Sequence, residues 1–152
     1  MLTYPEYEIL SCATEDMYGI WEALWTFNSI FPDKSPEERV GLADSVLRRL
    51  HADGLIDIYR VDQRHRPGLK MSKARTLSKK ELQEAMSRVD ERYPDDVILP
   101  PDEVHELLND PDIWEPTGPV YIGFFANKAG FEAYDATPYP HPDGDFRLSE
   151  PL

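Results

Sequence analysis

The sequence predicts an α+β fold: three helices on a small antiparallel sheet, with a helical insertion between the two principal strands. Three observations lead there. Residues 35–61, SPEERVGLADSVLRRLHADGLIDIYRV, read as a capped amphipathic helix that stops at a glycine and runs into a strand. Two shorter stretches of helical periodicity precede that helix. A second run of strand-forming residues, Val120–Ala126, follows only after a long interval rich in charge and proline.

The first helix is expected between Thr3 and Asp16. Pro5 suits its first position, and Tyr7, Ile9, Leu10, Cys12 and Ala13 give it a broad apolar face. A second helix is expected from about Asp16 through Phe31, because Met17, Ile20, Trp21, Leu24, Phe27 and Phe31 follow a 3.6-residue period. Trp25 falls on another side of it and is a candidate interface aromatic, since tryptophan is enriched where proteins meet. Pro32-Asp33-Lys34 breaks the chain before the central helix. There Ser35, Pro36 and Glu38 supply a cap, a first-turn proline and a capping box. Val40, Ala43, Val46, Leu47 and Leu50 form the inner face, and Gly54 sits where a left-handed C-terminal cap is needed. Arg48 and Arg49 fall on the face expected to be solvated, where substitution is tolerated within about 0.5 kcal/mol. Leu55–Val61 then reads as a strand.

The interval from 62 to 119 reads as an insertion. Ser78 and Glu81 form another capping box, opening a helix expected to run to about Arg88. Tyr93 to Pro101 reads as a connector. Asp102 and Glu103 suit the first turn of a short helix that buries Val104, Leu107 and Leu108, and Trp114 pins the loop that follows. After the strand Val120–Ala126, Asn127 caps a last helix with Phe131 and Tyr134 turned inward. Residues 1–136 thus read as a single domain, and residues 137–152 as a Pro-rich, flexible tail. Leu55–Val61 and Val120–Ala126 are expected to pair as antiparallel neighbours, because either strand alone would leave its backbone groups unpaired.

Three helices followed by GLIDIYRV resemble a winged helix-turn-helix domain. The segment FFANKAGFEAY resembles the junction between the second wing strand and a following helix, where winged-helix regulators often carry Thr-x-x-Gly; here it reads Asn127-Lys128-Ala129-Gly130. The layout, with LRRLHADGLI, a long insert and a Trp-containing loop, is also similar to small bacterial proteins with an inserted wing. The resemblance spans about Tyr4 to Tyr134 and implies a winged-helix-like core. Two departures separate this chain from DNA readers. The wing strands are separated by a whole insertion, and Glu37, Glu38, Asp44 and Asp53 outnumber Arg39, Arg48 and Arg49 on the would-be recognition helix and its cap.

The net charge of −13 on 152 residues disfavours general nucleic-acid binding. It is unevenly distributed. Between Arg64 and Lys80 stand seven bases and no acid: Arg64, Arg66, Lys70, Lys73, Arg75, Lys79 and Lys80. These either pair with the chain's own acidic surface or form a solvated face, or else they are the candidate contacts for phosphates or for a partner. Cys12 is the single cysteine, which excludes an internal disulfide and suggests a reducing compartment; no apolar run is long enough to cross a membrane. The expected location is the cytoplasm. His51, His65, His105 and His141 stand at no metal-ligand spacing, and His51 suits a capping place at a helix end. Glu103 and Glu106 flank His105 without sharing its helical face. His141-Pro-Asp143-Gly-Asp145 lacks the spacing of a calcium loop. There is no phosphate loop and no nucleophile elbow. No catalytic, cofactor-binding or metal-binding residue is expected, and no cofactor. The leading expectation is a non-enzymatic module acting through protein–protein contacts, as a regulatory or accessory factor. The alternatives are a DNA-binding transcription regulator using residues 64–80, and an acidic inhibitor or immunity-type protein that occupies a partner's basic site.

Overall fold

In a computed structural model of the chain, residues 2–62, 78–81, 97–115 and 118–140 are described. The architecture is α+β. Helices α1 (Tyr4–Glu15), α2 (Ile20–Ile30) and α3 (Pro36–Ala52) lead into strand β2 (Ile56–Asp62). A short strand β1 (Tyr18–Gly19) precedes α2. After β2 come β3 (Val97–Ile98), helix α4 (Pro101–Leu107), a 3-10 helix (Pro111–Trp114), β4 (Val120–Ala126) and helix α5 (Lys128–Ala136). The strands form one four-stranded sheet in the order β1-β4-β2-β3, and all its pairings are antiparallel.

The expected pairing of the two principal strands is present. β2 and β4 run in register from Ile56 opposite Ala126 to Asp62 opposite Val120, although residues 63–119 lie between them in sequence. Two strands were not expected. The helical period places Tyr18–Gly19 at the start of the second helix, yet these residues pair with Phe124 and Gly123, and α2 begins only at Ile20. Glu22 Oε2 accepts a 2.7 Å hydrogen bond from the Gly19 amide, which starts the helix there. Val97–Ile98, read as connector, adds an edge to β2 opposite Arg60 and Tyr59.

The helix ends follow local chemistry. Thr3 and Glu6 make a reciprocal capping box at α1. Ser35 Oγ accepts from the Glu38 amide at α3. At the other end of α3 the Gly54 amide donates to His51 O and the Leu55 amide to Leu50 O, with Gly54 at φ +72°. This paired return is the left-handed cap that turns the chain into β2.

One face of the sheet carries the core. Ile56, Ile58, Phe124 and Ala126 pack against Ile9, Leu10, Ile20, Phe27, Leu47 and Leu50, all buried. Leu99, Val104, Leu108 and Trp114 belong to the same cluster, so residues 97–115 help to complete the core. Val61 is fully buried yet stands outside that cluster, because strand alternation turns it to the opposite face of the sheet. The Trp21 ring meets Tyr121 edge-on at 5.1 Å, and Phe125 meets Phe131 at 6.0 Å.

The junction after β4 is set by two residues. Asn127 Oδ1 accepts from the Gly130 amide at 3.0 Å, and its Nδ2 donates to Gly54 O at 2.8 Å. One side chain therefore caps α5 and holds it to the turn after α3. Gly130 lies so close to the Leu55 carbonyl oxygen that a Cβ there would collide with it. Asn-x-x-Gly thus couples a cap to a close approach. Just beyond α5, Tyr139 packs edge-on to Tyr7 at 5.4 Å and donates to Glu8 Oε1. The start of the expected tail accordingly rests on α1. Residues 141–152 lie outside the described residues, as does the helix expected to run to Arg88 beyond its first turn at Lys79–Glu81. Ser78 Oγ does accept from the Glu81 amide.

Candidate interaction surface on the central helix

Helix α3 presents its inner face to the core and its outer face to α4 and the 3-10 helix. Its arginines are committed within the chain. Arg39 donates to Phe31 O, Pro32 O and Asn28 Oδ1, closing the turn between α2 and α3. Arg48 sits 3.0 Å from both carboxylate oxygens of Asp44 and donates to His105 Nδ1 at 3.0 Å and Asn109 Oδ1 at 2.8 Å. Because Arg48 can only donate, His105 Nδ1 is the acceptor of this hydrogen bond. Arg48 is the polar link between α3 and α4.

Arg49 Nε lies 3.7 Å from Glu6 Oε1, and the Glu6 side chain is almost wholly buried. The expectation that Arg48 and Arg49 are merely solvated is therefore corrected. One joins two helices and the other neutralises a buried carboxylate on α1. The residues were legible, but their partners come from remote parts of the chain.

A cleft of about 530 Å³ opens between α2, α3 and the 3-10 helix. Leu24, Val40, Leu108, Pro111 and Trp114 supply its apolar wall, and Asp44, Asn109 and Glu115 its polar edge. Gly41, an exposed residue, also lines it. That glycine is within α3, where glycine costs about 1 kcal/mol relative to alanine. A Cβ built there would meet nothing within 4 Å, so neither a close neighbour nor a positive φ demands it. Glu37, one turn before Gly41, shares this stripe of α3. Trp25, beside Leu24 on α2, is 60% exposed.

Of the seven basic candidates, Lys79 and Lys80 are described, both exposed in the first turn of their helix. Arg64, Arg66, Lys70, Lys73 and Arg75 lie outside the described residues. The cleft was not foreseen. Its walls come from the neighbouring helices α2 and α3 and from residues 108–115, which lie more than fifty residues further along the chain.

The remaining chemical groups have structural surroundings. Cys12 Sγ lies 3.7 Å from Thr26 Oγ1, and burial pushes its thiol pKa up, with the Thr26 contact partly opposing. A thiol held protonated is a poor nucleophile. His51 is pushed below its ordinary value by burial, with Asp57 opposing, so the C-terminal end of α3 holds a ring that favours the neutral form. Among the described residues no group of three or more His, Cys, Asp or Glu could hold a metal ion, and no helix is long and apolar enough to cross a membrane. Comparison with protein-family models, curated proteins and solved structures finds no match.

Proposed function

We propose that the chain is a non-enzymatic winged-helix-like module of the cytoplasm that works through protein–protein contacts, as a regulatory or accessory factor. The winged-helix reading draws on the order of α1, α2, α3 and β2, on the antiparallel β2–β4 pair, and on α5 leaving β4 through Asn127. The observation that carries the functional reading is the state of α3. A helix that reads a major groove must present free donors on an open face. Here α4 docks on the outer side of α3 through Arg48, and all three arginines of the helix are engaged within the chain. What remains open beside α3 is an apolar cleft with acids on its edge, a surface suited to protein and repellent to phosphate.

One observation favours a second reading. Lys79 and Lys80 stand exposed at the end of the basic run, as a phosphate-contacting segment of a transcription regulator requires. Fluorescence anisotropy with a labelled random duplex across a salt series separates the two. The protein-contact reading expects no measurable binding at physiological ionic strength and at most weak binding at low salt. Tight binding at physiological salt, lost when Lys70, Lys73, Arg75, Lys79 and Lys80 are changed to Glu, would replace it with the regulator reading.

A further inference from the structure

We infer that the cleft between α2, α3 and the 3-10 helix receives a cationic amphipathic segment of a partner protein, with its apolar side chains against Leu24, Val40 and Trp114 and its Lys or Arg side chains toward Glu115, Asp44 and Glu37. This rests on the protein-contact reading above and names the partner's chemistry.

Shape, charge and Gly41 point the same way. The cleft holds about 530 Å³ and is open to solvent rather than enclosed, so it takes side chains from a continuous segment in preference to a sequestered small molecule. Its polar edge is acidic. Glu115 and Glu37 are exposed and have no basic neighbour among the ion pairs of the described residues, while Asp44 is shared with Arg48. Arg48 meets this edge at Asp44 and Asn109, and its guanidinium is already divided among Asp44, His105 and Asn109. A segment bringing positive charge finds complementary potential there, whereas a second copy of a chain of net charge −13 brings the same acidic edge against itself. With no side chain at Gly41, which is exposed along the cleft, an incoming residue can lie directly on α3.

The space above Gly41 also provides the test. Gly41→Leu puts a side chain into the mouth of the cleft, where a Cβ meets nothing within 4 Å, and exchanges a poor helix former for a good one, so the variant is expected to keep its fold. A fluorescein-labelled helical peptide of Leu and Lys, with all Leu on one face, is titrated into the full chain and followed by anisotropy. Controls are the same composition scrambled to remove the apolar face, and the amphipathic peptide with every Lys replaced by Glu.

The amphipathic cationic peptide is expected to bind, and both controls to bind at least about tenfold more weakly. Gly41→Leu should weaken binding by at least about tenfold with an unchanged or raised Tm, and Glu115→Lys should weaken it by several-fold. Amide shifts in NMR spectra should concentrate at Leu24, Val40, Gly41 and Asn109. Equal binding of the scrambled peptide, or binding untouched by Gly41→Leu, would overturn the inference, because bulk charge alone would then be responsible. A dimer in sedimentation that Gly41→Leu dissociates would overturn it in favour of a second copy. Failure of the peptide to bind, with duplex DNA also unbound, overturns this inference and leaves the protein-contact reading standing; tight duplex binding overturns both.

Discussion

Gly130 and Gly41 are both helical glycines, and opposite constraints act on them. At Gly130 a Cβ would collide with the Leu55 carbonyl, which is backbone and cannot rotate away. Gly130→Ala should therefore destabilise by about 1–3 kcal/mol, as overpacking does. At Gly41 a Cβ meets open space, so Gly41→Ala should stabilise by up to about 1 kcal/mol. Urea denaturation of the two variants checks both; stabilisation by Gly130→Ala would contradict the close approach of α5 to Leu55, and destabilisation by Gly41→Ala would contradict the open space at Gly41. His51 supplies a pH test. Its pKa is lowered in the fold from an ordinary value of 6.5, so the unfolded chain binds the proton more readily. Its contribution to stability is then full above that value and falls as pH drops through it toward the folded pKa. Between about pH 7.5 and 5.5 the wild type should lose more in Tm than His51→Gln does. An equal loss would show that the ring is not held neutral by burial.

The elements are joined by a few specific groups as well as by apolar packing. Leu47 and Leu50 are fully buried on the inner face of α3, so truncation of either to alanine should cost about 2–5 kcal/mol. Arg48 acts on the other face. Arg48→Ala removes charge-assisted hydrogen bonds to two residues of the α4 segment and should cost about 1–3 kcal/mol. A double-mutant cycle of Arg48→Ala with Asn109→Ala should show a coupling that an exposed arginine would lack. Arg49→Ala leaves the Glu6 carboxylate buried without its ion pair. Since Arg49 keeps 31% of its side chain in solvent, the expected loss is about 1–2 kcal/mol, below that of a fully buried pair. These charges look like ordinary surface residues in a helical pattern. Their weight comes from α1 and α4, which the pattern of α3 does not describe.

Across the whole molecule, the sheet is the feature with the longest reach. β2 and β4 are its central strands, each flanked by a strand on its other side, while β1 and β3 contribute two residues each at the edges. Native-state hydrogen exchange should find amides of β2 and β4 protected up to the global unfolding free energy, and those of β1 and β3 opening well below it. Equal protection at the edges would argue for further pairing beyond them.

By itself the sequence determined the elements whose signals are local. A cap, a helical period and a glycine stop at α3 involve residues within a turn of one another, and so do the caps at Ser78 and Asn127; the Thr3–Glu6 capping box is equally local but absent from the sequence-based expectations. Alternating strand formers placed β2 and β4, and the need to pair their backbones joined them. Tertiary structure alone decided the rest. A two-residue strand has no period to read, so β1 and β3 exist only because β4 and β2 offer them edges. The partners of Arg48 and Arg49, the contact that requires Gly130, and the cleft above Gly41 each arise where segments distant in sequence meet. Such meetings leave no periodic trace in either segment, because each side chain's local pattern is satisfied whether or not the other is there.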